Sequence, residues 1–192
     1  NRSGACTSAC SNAEEGCIIG NGSCNGLDAC YRIARSGPDK LIVGDNSCLG
    51  DYACNSVATT GKYTASIGSS SCDGDYACYN LGSCAHGAFV GDNTCNERFS
   101  CNNLARGDCP LGADNEDQSA VTLGSGSCNG EEACRSVGRG THEHLTIGFN
   151  SCNGHSACYS SGFSARSVAI ANDVCNSDAM VDGGEEECYE CD

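Results

Sequence analysis

Short apolar triplets recur along the chain, each followed by a glycine and then by a polar run ending in cysteine. The stretch Leu41-Ile-Val-Gly-Asp-Asn-Ser-Cys-Leu-Gly-Asp-Tyr-Ala-Cys-Asn-Ser-Val57 is the type unit, with a second cysteine six residues after the first. Aligned on its first cysteine, the unit repeats at Cys24, Cys48, Cys72, Cys95, Cys128, Cys152 and Cys175, which we number coils one to seven. The step is 23 or 24 residues throughout except for one of 33. The second cysteine stands at Cys30, Cys54, Cys78, Cys101, Cys134 and Cys158, and coil seven has Val181 in that place.

Five residues before the first cysteine stand Ile19, Val43, Ile67, Val90, Leu123, Ile147 and Ile170; seven before it stand Cys17, Leu41, Ala65, Ala88, Val121, Leu145 and Val168. Two columns of equal parity share one face of a strand, so both point inward and the mixed column between them, with Ser66, Thr122 and Thr146, points out. A unit of this length that cannot bury its apolar face alone must stack on its neighbours. Glycines and Asn-Gly or Asp-Gly turn signals interrupt the chain too often for helical stretches of period 3.6. The pattern predicts an all-β fold, a disulfide-rich parallel β-helix (β-solenoid) of about seven to eight coils of ~24 residues each at the strand spacing of ~4.8 Å.

Three further columns refine the unit. Gly20, Gly44, Gly68, Gly91, Gly124 and Gly148 precede the first cysteine by four, with Ala171 the exception in coil seven. A fixed glycine there requires either positive φ or a close approach between coils. The hydroxyl column Ser23, Ser47, Ser71, Thr94, Ser127 and Ser151, and the column of Asn25, Asp73, Asn96, Asn129, Asn153 and Asn176, interrupted by Leu49, can hydrogen-bond along the stack or simply form turns.

The x-Gly turn also bears on the cysteines. Fully extended, residues six apart lie about 20 Å apart, and only a fold-back brings them to the ~5.5 Å Cα separation of a bridge. This favours in-coil pairs Cys24 with Cys30, Cys48 with Cys54, Cys72 with Cys78, Cys95 with Cys101, Cys128 with Cys134 and Cys152 with Cys158. Bridges between adjacent coils are the rival. Cys84 and Cys109 are placed to make one such bridge, and Cys175 to pair with Cys188 or Cys191.

In domain terms, residues 1–16 are expected to cap the first coil, residues 17–181 to form the solenoid with an acidic insertion at 107–119, and residues 182–192 to form an acidic C-terminal cap. The 20 Cys among 192 residues indicate a disulfide scaffold and an oxidising compartment. A zinc reading fails because a separation of six is not a C-x₂₋₄-C spacing and no histidine recurs beside it. The first residue is Asn1 and no run of 18 apolar residues exists to span a membrane, so a secreted, extracellular or cell-surface protein is expected. Net charge −15, mean hydropathy −0.31 and two lysines, Lys40 and Lys62, argue against nucleic acid or an anionic membrane as partner.

Candidate chemistry is sparse. Asn1 and Asn21 head N-x-[ST] sequons. Asp108, Asp114, Glu116 and Asp117 in the insertion supply oxygen ligands of the kind Ca²⁺ takes, without the order of an EF-hand or a calcium-binding β-roll; no other cofactor is expected. His142-Glu143-His144 has no partner to complete a triad, and Asp51, Asp75 and Glu131 share a column whose simplest use is solubility. No catalytic residue is therefore assigned and the protein is read as a non-enzyme. Flat Thr-x-Thr arrays of the ice-binding kind do not recur.

The unit I-G-x-x-S-C-x-G-x-x-A-C, as in Ile67-Gly-Ser-Ser-Ser-Cys-Asp-Gly-Asp-Tyr-Ala-Cys78 and Ile147-Gly-Phe-Asn-Ser-Cys-Asn-Gly-His-Ser-Ala-Cys158, resembles the cysteine-rich repeats of predicted secreted proteins in diatoms and related algae, from about residue 17 to residue 181. The resemblance implies an extracellular disulfide-bonded repeat protein and brings no activity. The expectation is a structural or adhesive element, a subunit of a cell-surface filament or appendage whose partners are further copies stacked head to tail, extracellular matrix or glycan. The alternative is a module that binds carbohydrate, Ca²⁺, mineral or ice on a flat solenoid face.

Overall fold

The computed structural model describes residues 16–33, 40–57, 65–82, 87–104, 120–138, 144–161 and 167–177. The two caps (but for Gly16), the acidic insertion, and the Cys84 and Cys109 pair lie outside the described residues. Seven short strands, β1 (Cys17–Ile19), β2 (Leu41–Val43), β3 (Ala65–Ile67), β4 (Gly87–Val90), β5 (Ala120–Leu123), β6 (His144–Ile147) and β7 (Val168–Ile170), form one parallel sheet in sequence order. Each residue pairs with its counterpart one repeat later, Val43 with Ile67 and Ile67 with Val90. The register holds across the long step, where Val90 pairs with Leu123. The chain is a β-solenoid, and its strand wall alternates as parity requires, buried at Leu145 and Ile147 and exposed at Thr146.

A second wall faces the sheet, running from the first cysteine to the ninth residue after it. Its backbone is not strand. A β-turn closes from the carbonyl two residues after the first cysteine to the N–H five after it (Gly74 to Ala77, 3.1 Å), and the second of the two residues between them takes positive φ, 56° at Tyr76. Alternate N–H groups then reach back one coil: Tyr76 to Asp51 (2.9 Å), Cys78 to Ala53 (2.7 Å) and Asn80 to Asn55 (2.9 Å). The turn walls of coils two to five each lean on their predecessor through the same three bonds, and coil six keeps the outer two, Ser156 to Glu131 and Ser160 to Arg135 (2.9 Å each), so that backbone polar groups that cannot face water find partners.

The core lies between the walls. From the sheet come the two inward columns; from the turn wall come the bridged cysteines, the alanines Ala29, Ala53, Ala77, Ala133 and Ala157, and a third column, Ile33, Val57, Leu81, Leu104 and Val137, fully buried at 0 % exposure. Sizes compensate across the stack: Leu41 accompanies Val57, Ala65 accompanies Leu81, Ala88 accompanies Leu104, and Val121 accompanies Val137. A small residue in the strand column is thus met by a leucine in the turn-wall column in coils three and four, as close packing of coils held at one spacing favours.

The glycine column is explained by close approach, not by φ. A Cβ at Gly124 would lie 2.6 Å from Phe149 N and 2.7 Å from the Gly148 carbonyl carbon, and none of the six glycines has positive φ.

Candidate binding face

The structure joins Cys24 to Cys30, Cys48 to Cys54, Cys72 to Cys78, Cys95 to Cys101, Cys128 to Cys134 and Cys152 to Cys158, with Cα separations of 5.5 to 5.8 Å. The first cysteine of each pair adopts φ between 54° and 59°, a left-handed bend that turns the chain back toward its partner. Sulfurs of successive coils stack closely. Sγ atoms of Cys95, Cys101 and Cys128 lie within 4.8 Å of one another, as do those of Cys152, Cys158 and Cys175. A sulfur already in a bridge offers no thiolate to a metal. Six disulfides in one chain belong to an oxidising, non-cytoplasmic compartment. Among the described residues no helix is long and apolar enough to cross a membrane.

Polar columns turn out to be recognition elements between coils. The Ser47 hydroxyl donates to Gly68 O (2.7 Å) and accepts from Ser71 N (3.3 Å); Ser71 donates to Gly91 O (2.7 Å) and accepts from Thr94 N (3.2 Å); Ser151 donates to Ala171 O (2.6 Å) and accepts from Val174 N (3.4 Å). Acids and amides face the other way, taking N–H groups of the coil before. Asp45 accepts from Asn21 N (2.6 Å), Asp92 from Ser69 N (2.7 Å), Asn129 from Asn96 N (3.2 Å) and Asn153 from Asn129 N (3.0 Å). The carboxylates weighed above for chemistry are used likewise: Asp51 accepts from Leu27 N and Asp75 from Asp51 N, each at 2.8 Å.

One member of this set is out of keeping. Asn129 Nδ2 donates to Asn93 O and Asn176 Nδ2 to Asn150 O, both at 2.8 Å, so the amide of this column reaches a carbonyl of the preceding coil. Asp73 brings a carboxylate to that place, and its Oδ1, like the Oδ1 of Asn96 one coil on, is buried without a hydrogen-bond partner. Burial pushes the carboxyl from an ordinary 3.8 up to about 6, with the Leu49 backbone N–H pulling weakly the other way.

The outer surface of the turn wall carries the one chemically distinctive strip, and sequence reasoning missed it. Four residues after the first cysteine, coils two to four place Tyr52, Tyr76 and Phe99, whose rings stack along the solenoid axis: 5.0 Å between centroids and 15° between planes for the first pair, 5.3 Å and 26° for the second. Tyr79 meets Tyr76 edge-on at 5.7 Å. Arg98 lies 4.4 Å and Arg135 5.3 Å from the Phe99 centroid, Arg135 also 5.8 Å from Tyr159, and Arg32 4.7 Å from Tyr31. All the described arginines of this acidic chain sit on this wall. They are locally balanced, Arg135 by Glu132 at 2.6 Å and Arg98 by Glu131 at 3.9 Å. Tyr52, Tyr76 and Phe99 all have φ near 57°, which costs a bulky residue roughly 1–2 kcal/mol. Each of the two stacked pairs returns about 0.5–1.5 kcal/mol, so the ladder offsets part of its own strain. The signal was present in the sequence as aromatics at the fixed repeat spacing.

Of the remaining sequence-predicted residues, Asn21 is exposed and Ser23 of its sequon donates its hydroxyl to Gly44 O (2.6 Å). His144 is exposed on β6. Asn1, His142, Glu143, Asp108, Asp114, Glu116, Asp117, Cys188 and Cys191 lie outside the described residues.

No curated protein matches the chain, and no solved structure does. The first part of the chain, residues 1–84, which takes in coils one to three, is similar to the family described as Domain of unknown function (DUF7640).

Proposed function

We propose that the protein serves outside the cell as a rigid structural or adhesive element that presents its side faces to extracellular matrix or glycan. The observation that carries this reading is the double fastening of the stack. Each of coils one to six closes its turn wall with its own buried bridge, while hydroxyl and amide ladders fix each coil to the next. Short in-coil bridges stabilise by about 2 kcal/mol apiece on the chain-entropy account, and they keep local openings small under proteolysis or load. Antibody labelling of intact, unpermeabilised cells is the test. Surface label, with resistance of the oxidised protein to proteases that digest the reduced one, is expected; label confined to a reducing compartment would sink the reading.

A second reading, a binding module for uncharged glycan, has its own support. The outward column of the sheet from coil three onward is Ser66, Phe89, Thr122, Thr146 and Ala169, without one charge in a chain of net charge −15. Pull-down on insoluble neutral polysaccharide tests it, with Thr122→Glu and Thr146→Glu expected to abolish retention.

A further inference from the structure

Each of the six bridges closes within a single coil, so none of them ties one coil covalently to the next. The aromatic ladder is placed where such a tie can form. Tyr52 and Tyr76 occupy the same position in consecutive coils, their rings nearly parallel at 5.0 Å. Their backbones are pinned in that register, Tyr52 N to Leu27 O (2.8 Å) and Tyr76 N to Asp51 O (2.9 Å), so each ring keeps the other as a standing neighbour. Both residues are partly exposed on the outer surface of the turn wall, where an oxidant in solvent meets them. On its far side Tyr76 stacks on Phe99, which has no phenol to couple.

We propose that Tyr52 and Tyr76 are a modification site, an oxidative cross-linking pair that a haem peroxidase with hydrogen peroxide converts to dityrosine. Each phenol loses one electron and one proton to give a phenoxyl radical; the two radicals join through a carbon ortho to each oxygen. Those carbons then give up their hydrogens to the phenol oxygens as the rings regain aromaticity. The pair has lost two hydrogens in all, and one peroxide is reduced to two waters. The product spans coils two and three, closing a loop of 24 residues that reduction of the disulfides cannot open. Tyr79 competes for Tyr76 but meets it at 61° and 5.7 Å from within the same coil.

The full chain, dilute enough to disfavour coupling between molecules, is treated with peroxidase and peroxide, then reduced, digested and analysed by mass spectrometry. Expected is a monomer with a peptide pair joined through Tyr52 and Tyr76, lighter by two hydrogens, kept in Tyr79→Phe and lost in Tyr52→Phe and Tyr76→Phe. The phenylalanine variants retain the ring stack, and mapping of their disulfides confirms that they fold. The cross-linked protein should also melt higher than the untreated one once both are reduced. Coupling only between molecules, coupling of Tyr76 to Tyr79, or no coupling in the folded chain overturns the proposal.

Discussion

Coil three and coil seven follow the same template, and most of their differences within the described residues fall on one side. Toward the coil before it, the described part of coil seven keeps its contacts: Val168 and Ile170 are buried, Asn172 Oδ1 accepts from Phe149 N (2.8 Å), and Asn176 accepts from Asn153 N and donates to Asn150 O. Toward a coil after it, the matching positions have changed. Gly68 becomes Ala171, Ser71 becomes Val174 and Gly74 becomes Ser177. In coil three those positions are the ones that touch coil four: a Cβ on Gly68 would come within 2.6 Å of Asp92 N, the Ser71 hydroxyl donates to Gly91 O, and a Cβ on Gly74 would meet Glu97 backbone at 2.3 Å. Coil seven is therefore one-sided, and an in-register neighbour beyond it would collide with Ala171 and find no hydroxyl at Val174. That asymmetry is the reason the side faces, rather than coil seven, carry the proposed adhesion.

The comparison can be broken hardest at the sulfur. Replacing Cys72 and Cys78 together by Ala removes the in-coil bridge of coil three and also empties buried volume. A loss of about 3 kcal/mol in local stability is expected, read by hydrogen exchange at the Cys78 N–H that bonds Ala53 O. Close behind comes the glycine column. Gly124→Ala forces a methyl against immovable backbone 2.6 Å away and should cost up to about 3 kcal/mol. The reverse change in coil seven, Ala171→Gly, should cost only about 0.5 kcal/mol, the ordinary penalty of added backbone freedom. Equal denaturation midpoints for these two variants would erase the distinction between coil five and coil seven. The hydroxyl is the third difference. Ser71→Val copies coil seven into coil three, leaving Thr94 N–H and Gly91 O without their partner, and should cost roughly 1–3 kcal/mol, visible as faster exchange of the Thr94 amide.

Why some of this was legible in the sequence and some not follows from the two walls. On the strand wall, β-region backbone keeps side chains on a period of two, so Leu41 and Val43 identify themselves as inward and Ile42 as outward. The turn wall has residues with positive φ at the first cysteine and four and eight after it, as at Cys72, Tyr76 and Asn80. Each reverses the sense in which side chains alternate, so Ala77 and Cys78 are both buried though adjacent, and Leu81 is buried three residues on. No simple period survives, which is why the Ile33 to Val137 column and the aromatic ladder went unseen while the cysteine pairs, fixed by the turn alone, did not. The hydroxyl and amide columns left two uses open, and the choice between them needed the neighbouring coil's carbonyls in place.

The smallest of the differences is also the one whose size depends on pH. Coil seven has Asn176 where coil three has Asp73. Asn176 Nδ2 donates backward to a carbonyl (2.8 Å), whereas a carboxylate has no hydrogen to give. Burial raises the Asp73 carboxyl from 3.8 to about 6, and its Oδ1 is buried without a partner. Because the folded chain binds the Asp73 proton more tightly than the unfolded chain, this group's contribution to stability is complete below 3.8 and is lost as pH rises through about 6. A shift of that size corresponds to about 3 kcal/mol for a fully desolvated group, and partial exposure of Asp73 to solvent reduces it to about 1 kcal/mol. Asp73→Asn should therefore stabilise the protein by about 1 kcal/mol at neutral pH, change little below 3.8, and flatten the stability profile between those limits. Thermal melts of the two proteins across that range check it. A variant no more stable than the parent at neutral pH would mean that Asp73 has found a donor, and that the amide column tolerates an acid in an interior coil as readily as an amide.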